Sequence, residues 1–411
     1  MNLKVNGRRL RDDLIELSQI GRSVSGGIDR TSFSKSDLLA RRWYAERCAA
    51  AGLHLRVDGL GNMTAGAMVT GDGPAPVWTG SHIDTVPNGG AFDGAVGSIA
   101  ALECVRTLSE AGVSLVRPVQ AVVFSDEEGN YGHLFGSSGI ARGYTSEQLA
   151  AMSGRDGDRL IDALANCDFG SMSPTDTRIL RGTMHAFIEL HIEQGPRLEA
   201  ANMQIGTVTS IVGLGGGIVE FTGRADHAGA TPMDARRDAL LGAASFLTRL
   251  PGVAASVSPD AVITCGRLSV QPGGANVVPR LVTVTLDFRD PDRGRIDALT
   301  KAVIEAAESS ARQYDLTAEF RPDTVVDPVP LDDGVQAVIS AAADRLGLSK
   351  MRIPSAAGHD SQNMALLAPT GMIFVPSKGG RSHCPEEETG WDDIENGANV
   401  LLESLVELAS S

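Results

Sequence analysis

The sequence predicts an α/β protein: a mostly parallel sheet flanked by helices, interrupted by an inserted ferredoxin-like β-α-β-β-α-β unit. Three observations carry this. Strand-like and helical patterns alternate through the first half of the 411 residues, as in a parallel sheet with crossover helices. From 211 to 326 the order becomes strand, helix, strand, strand, helix, strand, the split βαβ order. After Asp327-Pro328-Val329-Pro330 the first alternation resumes. The expected division is one discontinuous domain, 1–210 with 327–411, and an insert, 211–326.

The elements follow in chain order. Residues 36–51 (SDLLARRWYAERCAAA) read as a helix that Gly52 can end. Val77-Trp78-Thr79-Gly80 reads as a short strand leading into Ser81-His82. Residues 93–110 carry Val96, Ile99, Leu102, Val105 and Leu108 at near-helical spacing. Val119 to Phe124 has the length and apolarity of a buried parallel strand. In the insert, strands are expected at 216–224, 261–270, 281–289 and 316–321, with helices at 233–250 and 293–312. Helices near 333–346 and 392–409 complete the first domain.

Composition narrows the partners. A formal net charge of −15 suits neither a phosphate backbone nor an anionic membrane, so no nucleic acid and no membrane is expected. Aromatics at 4% are too few for a base-stacking surface. Cys48, Cys104, Cys167, Cys265 and Cys384 are odd in number and form no CxxC pair, which favours a reducing compartment over a disulfide framework. The first residues, MNLKVNGRRLRDDL, lack the apolar run of a secretory signal, and no stretch approaches 18 uninterrupted apolar residues. A cytoplasmic protein is expected.

There is no HExxH, no GxxxxGK[ST] and no GxSxG, and Gly213-Leu214-Gly215-Gly216-Gly217-Ile218 fails GxGxxG at its last position. What remains is a set of His and carboxylate positions at strand ends. His82 and Asp84 lie two apart, so an extended backbone points both to one side; a satisfied polar strand end reads equally well. Asp93, in Phe92-Asp93-Gly94-Ala95, is either a helix N-cap or a ligand. Asp126-Glu127-Glu128 directly after an apolar strand needs solvent or a cation; one glutamate could bind a metal while the other faces its water. Alternation from His185 to Glu193 puts His191 on one face with two glutamates, which a half-exposed strand would also explain. His383 sits in a late loop beside Cys384, a weak candidate nucleophile. In the insert, His227 follows a strand, Asn276 lies in a Gly-rich loop, and Arg289 on a strand suits a carboxylate, unless it merely pairs with Asp287 or Asp290.

Taken together, GSHIDTVPNGGAFDGAVG, FSDEEGN, LHIEQGPRLEA, GRADHAGATPMDARRDAL, PGGANVVP, AGHDSQNMA and PSKGGRSHCPEE resemble the amidase, hydantoinase/carbamoylase family of the M20 metallopeptidase superfamily, in matching order from about residue 80 to 390. The resemblance implies a catalytic domain with two divalent metal ions and an insert that acts as lid and dimerisation domain; imidazole with carboxylate suits zinc first, with manganese, cobalt or nickel as alternatives. It implies His82, Asp93 and His191 on one metal and Asp93, Glu128 and His383 on the other, with Asp93 bridging. Asp84 would be the partner of His82, and Glu127 the general base. His227 would stabilise the oxyanion; Gln194, His227, Asn276 and Arg289 would hold a small carboxylate-bearing ureido or amide substrate, some of them reaching across a homodimer. The implied reaction is hydrolysis of an N-carbamoyl-L-amino acid. An allantoate amidohydrolase is the first alternative, then a β-ureidopropionase or N-acyl amino acid deacylase. One departure stands out: Asn130-Tyr131-Gly132 replaces the Arg-Phe pair usual after DEEG, which bears on substrate identity.

Overall fold

Fully apolar strands need cover on both faces, and the sequence supplies it with crossover helices. In the computed structural model, which describes residues 3–67, 73–167 and 172–411, Val77–His82 runs parallel to Val119–Phe124 on one side and to Ala186–Ile192 on the other. Thr370–Val375 extends the parallel centre. The margins are antiparallel: Met63–Gly66 and His54–Val57 beyond Val119–Phe124, and Ile205–Ile211 beyond Thr370–Val375. Helix Ala95–Glu110, buried from Ala95 to Leu108, is the crossover between the first two parallel strands. Helix Trp391–Ala409 adds Ile394, Leu401, Leu402 and Leu405 to the same core as Ile99, Leu190 and Ile373. The mixed α/β architecture is thus parallel where His82 and His191 sit.

The chain forms two compact units: Met1–Thr209 with Leu331–Ile353 and Ala357–Ser411, and Ser210–Pro330 with Pro354–Ala356. The second has its own four-stranded antiparallel sheet, in the order Thr317–Val326, Gly213–Thr222, Leu281–Asp290, Val262–Gln271. Helices Ala239–Val257 and Arg293–Gln313 supply Phe246, Leu250, Leu299 and Val303 to a core with Phe221, Val284 and Phe288. Helix Ala239–Val257 is long and apolar enough, by length and composition, to cross a membrane; here its buried face belongs to this core.

Some elements differ from the sequence expectation. The helix expected at 233–250 starts only at Ala239, where the Asp238 carboxylate accepts from the Leu240 and Leu241 amides, and it continues past Pro251 to Val257. Strand Ala186–Ile192 is buried along its whole length, not half-exposed. Its polar face meets other polar groups rather than water: Glu189 accepts from Ser81 Oγ at 2.7 Å and from Ser361 N and Oγ at 3.1 and 2.7 Å. A hairpin of His54–Val57 and Met63–Gly66 adds to the expected elements. Its turn is held by Asp58, and Asn62 Oδ1 accepts the Ser125 amide at 3.1 Å, pinning the start of the loop that carries Glu127 and Glu128. Arg30, fully buried, donates to the Ile83 carbonyl at 2.6 Å and to the Leu17 and Ile20 carbonyls, fixing the turn between His82 and Asp84.

Candidate metal centre

Ligands gather beyond the carboxyl ends of parallel strands. His82 ends Val77–His82, His191 lies one residue before the end of Ala186–Ile192, and Glu127 and Glu128 follow Val119–Phe124. Asp93 lies just ahead of helix Ala95–Glu110. It does not cap that helix; Gly94 occupies the cap position, and a Cβ there would lie 2.4 Å from the His82 ring, so only glycine admits the imidazole.

The two oxygens of Asp93 face different neighbours. Oδ1 is 3.2 Å from His191 Nε2 and 3.7 Å from His82 Nε2. Oδ2 is 3.1 Å from His383 Nε2, which is 3.5 Å from Glu128 Oε1. The result is two groups that share one carboxylate: His82, Asp93, His191 and Asp93, Glu128, His383. The tautomers suit ligation. His191 Nδ1 lies 2.9 Å from the Ile192 carbonyl and His82 Nδ1 3.1 Å from the Asp84 carbonyl. A carbonyl only accepts, so Nδ1 carries a proton in both rings and Nε2 is the atom turned towards Asp93; the Gly94 amide also lies 3.1 Å from His191 Nε2. His82 Nδ1 thus faces Asp84 twice, its main-chain carbonyl and, at 3.6 Å, its carboxylate. That carboxylate also accepts the Glu127 and Glu128 amides at 3.4 and 3.1 Å.

The three consecutive acids divide their tasks. Asp126 takes a left-handed backbone (φ 52°) and accepts the amides of Asn130, Tyr131 and Gly132 at 2.7, 2.8 and 2.9 Å. The segment that departs from the family pattern is thus held through its main chain. Tyr131 also donates to Asp158 and packs on Phe33. Glu127, buried, places Oε2 3.5 Å from His82 Nε2, while Glu128 turns to His383. Burial and then the neighbouring Glu128 push the Glu127 carboxyl well above its ordinary value; burial and then Asp93 push Glu128 up to about 7. Burial also works to raise Asp93, but His191 and His383 hold it well below the carboxylate range. His383 is raised to about 9, first by its hydrogen bond to Asp93. Negative charge is crowded into a buried space, and three imidazoles with two carboxylates form a donor set that fits divalent cations.

Gln194, also left-handed (φ 57°), donates from Nε2 to Asp93 Oδ2 at 2.8 Å and to Ser382 Oγ at 3.2 Å. Its Oε1 is buried and has no partner among the described residues. In the second unit, His227 and Asn276 are neighbours: His227 bridges Val277, and the Ala228 amide donates to the Asn276 carbonyl at 3.0 Å. The Gly229 and Ala230 amides both donate to His227 Nδ1 at 3.1 Å, leaving Nε2 as the protonated nitrogen. Arg289 pairs with Asp287 at 2.9 Å, the ion pair that spacing left open, and donates to the Ala356 carbonyl at 3.2 Å. It lies about 27 Å along its strand from Leu281, near which His227 and Asn276 sit, at the rise of an antiparallel strand.

Residues 78–407 match the family described as Peptidase family M20/M25/M40. The chain belongs to that family. It is 36% identical to the N-carbamoyl-L-amino-acid amidohydrolase of Rhizobium meliloti over 99% of this chain and 98% of the relative. It is 33% identical to the allantoate amidohydrolase of Bacillus subtilis (strain 168) over 97% of each. The crystal structure of an amidase of the hydantoinase/carbamoylase family from Burkholderia multivorans superposes with a TM-score of 0.92 at 34% identity, covering all of both chains. As a member of this amidase group the chain is a hydrolase of C–N bonds.

Sequence reasoning missed several supporting residues in this family member. His359 stacks edge-on against His191 with ring centroids 4.5 Å apart, and Asp360 is fully buried beside it; both lie in the AGHDSQNMA block without a periodic signal to mark them. Glu387 is one of three successive glutamates that nothing in the sequence distinguishes. All five cysteines are free thiols, and none joins a candidate ligand group among the described residues.

Proposed function

We propose that this chain hydrolyses the ureido C–N bond of an N-carbamoyl-L-amino acid, consuming one water and giving the L-amino acid, ammonia and carbon dioxide. The observation that carries this reading is Asp93, whose two oxygens face two separate imidazole and carboxylate groups. The names of the relatives supply the substrate class. His82, Asp93 and His191 would hold one cation, and Asp93, Glu128 and His383 a second, zinc being favoured for such donors and manganese, cobalt or nickel the alternatives. Bound there, the cations supply Lewis acidity and lower the pKa of water, which a carbonyl flanked by two donating nitrogens needs.

The chain's own residues do the rest. Glu127 takes the proton of the attacking water and passes it to the leaving nitrogen. His227 donates from Nε2 to the oxygen that gains charge. Arg289, Asn276 and Gln194 grip the substrate carboxylate and amide and fix their distance from the scissile carbonyl. The unpartnered Gln194 Oε1 suits a substrate N–H. The free thiols support a reducing, cytoplasmic setting.

A single small substrate cannot touch both ends of the strand Leu281–Asp290, so we place His227 and Asn276 in the site of a second copy, with the inserted unit as lid and dimer contact. Co-expressing Glu127→Gln and His227→Ala chains tests this. Mixed dimers regain one intact site, so about a quarter of wild-type turnover is expected from statistical pairing of two inactive variants. Turnover no higher than that of the separate variants contradicts the shared site.

The second reading, an allantoate amidohydrolase, uses the same donors and is favoured by the Bacillus subtilis relative. An ammonia-release assay over N-carbamoyl-L-amino acids, allantoate and N-carbamoyl-β-alanine, with N-acyl amino acids followed by release of the free amine, separates them. The highest kcat/KM is expected on an N-carbamoyl-L-amino acid; a higher value on allantoate replaces the first reading with the second.

A further inference from the structure

The two donor groups are not equally well built. His82 and His191 are buried at the ends of core strands. His383 stands on a loop, its side chain 51% exposed and its backbone left-handed (φ 56°). Packing alone gives it little support, yet its Nε2 sits 3.1 Å from Asp93 Oδ2.

We propose that Glu387 is the positioning residue that locks the turn bearing Asp93 to the loop bearing His383, and so sets the second donor group. Glu387 is buried. Its Oε1 accepts the amides of Phe92 and Asp93 at 2.8 and 3.0 Å. Its Oε2 accepts Ser382 Oγ at 2.7 Å. Ser382 Oγ is also 3.1 Å from Asp93 Oδ2, but a hydroxyl has one proton and the shorter approach is to Glu387. On its own side, the Glu387 amide donates to the Cys384 carbonyl at 3.1 Å, which closes the loop just after His383. One carboxylate therefore ties main chain at Phe92 and Asp93 to main chain and side chain around His383, segments nearly 300 residues apart. The fit is tight: a Cβ on Gly90 would lie 2.1 Å from the Glu387 carboxyl carbon. Groups that orient ligands in this way commonly alter metal affinity 10- to 100-fold when removed.

The inference rests on the dinuclear reading, and its test separates the two. Metal-free full-length wild type, Glu387→Ala, Glu387→Gln and Gly90→Ala are titrated with zinc against a chromophoric chelator. Amide exchange of the Phe92–Asp93 segment is followed in the same metal-free proteins. Glu387→Ala is expected to bind the second equivalent about 10- to 100-fold more weakly and to weaken the first, which His82 and His191 still hold, by clearly less. Glu387→Gln keeps an Oε1 for the two amides and is expected to restore both. Gly90→Ala displaces the carboxylate without removing it and is expected to reproduce Glu387→Ala, which decides the matter should Glu387→Ala fail to fold. Faster exchange at Phe92 and Asp93 accompanies both. Two wild-type affinities in Glu387→Ala and Gly90→Ala, or equal weakening of both equivalents, overturns the proposal. Should wild type itself take fewer than two equivalents, the dinuclear reading fails, and unchanged amide exchange in the variants would overturn the strut independently.

Discussion

Glu127→Gln is expected to lower kcat by about 10²- to 10⁴-fold, the range of a positioned general acid–base group, while two cations remain bound. Glutamine keeps the shape of a side chain that lies 3.5 Å from His82 and within a buried site, but it cannot accept the proton of water. The same change has a second consequence. Burial and Glu128 raise the Glu127 carboxyl well above 4.5 in the folded chain. The folded state therefore holds that proton more tightly than the unfolded one, and the metal-free protein loses stability as pH rises from about 4.5 through the folded value. The neutral glutamine removes this penalty, so metal-free Glu127→Gln should melt above metal-free wild type at neutral pH, as expected of a site built for chemistry at some expense of stability. Steady-state kinetics with metal analysis, and thermal unfolding of the stripped proteins, read the two effects. A kcat near wild type removes Glu127 as the base.

Asp93→Asn is expected to abolish the shared ligand. One oxygen of the pair becomes an amide nitrogen that cannot ligate, so the chain should keep at most one cation and lose activity by more than about 100-fold, beyond the scale that outer-sphere changes reach. Stability moves opposite to that of Glu127→Gln. The His191 and His383 imidazoles hold Asp93 well below the carboxylate range, so its charge stabilises the metal-free fold above its unfolded pKa and ceases to do so as pH falls through the folded one. Metal-free Asp93→Asn should therefore melt below wild type at neutral pH. Opposite signs of the two melting shifts, from two carboxylates in one cluster, are a stringent check on the geometry. Two retained cations in Asp93→Asn would contradict the bridging role.

How much of this is legible in the sequence depends on the kind of interaction. Strand Val119–Phe124 is readable because a continuous apolar run in a parallel sheet is a local property. His82, Asp93, Glu128, His191 and His383 stand out as polar residues at strand ends and Gly-rich turns, yet each position alone has a bland alternative; only their assembly shows that Asp93 is not the N-cap and stands between two imidazole and carboxylate groups. The alternation in Ala186–Ile192 was ambiguous because a buried polar network and solvent demand the same pattern. Glu387, Arg30 and Asn62 were invisible, since each acts on main chain far away in sequence and carries no periodic signature. Arg289 shows the converse: its strand position is readable, while its pairing with Asp287 needs the side-chain geometry.

The most direct test of the central claim is the metal content of the full-length chain, by native mass spectrometry and elemental analysis, against turnover as the metal is removed and returned. The account expects two divalent cations per chain, activity that vanishes on chelation, and recovery that tracks reoccupation of the sites. A metal-free chain that turns over its substrate at the undiminished rate would contradict it.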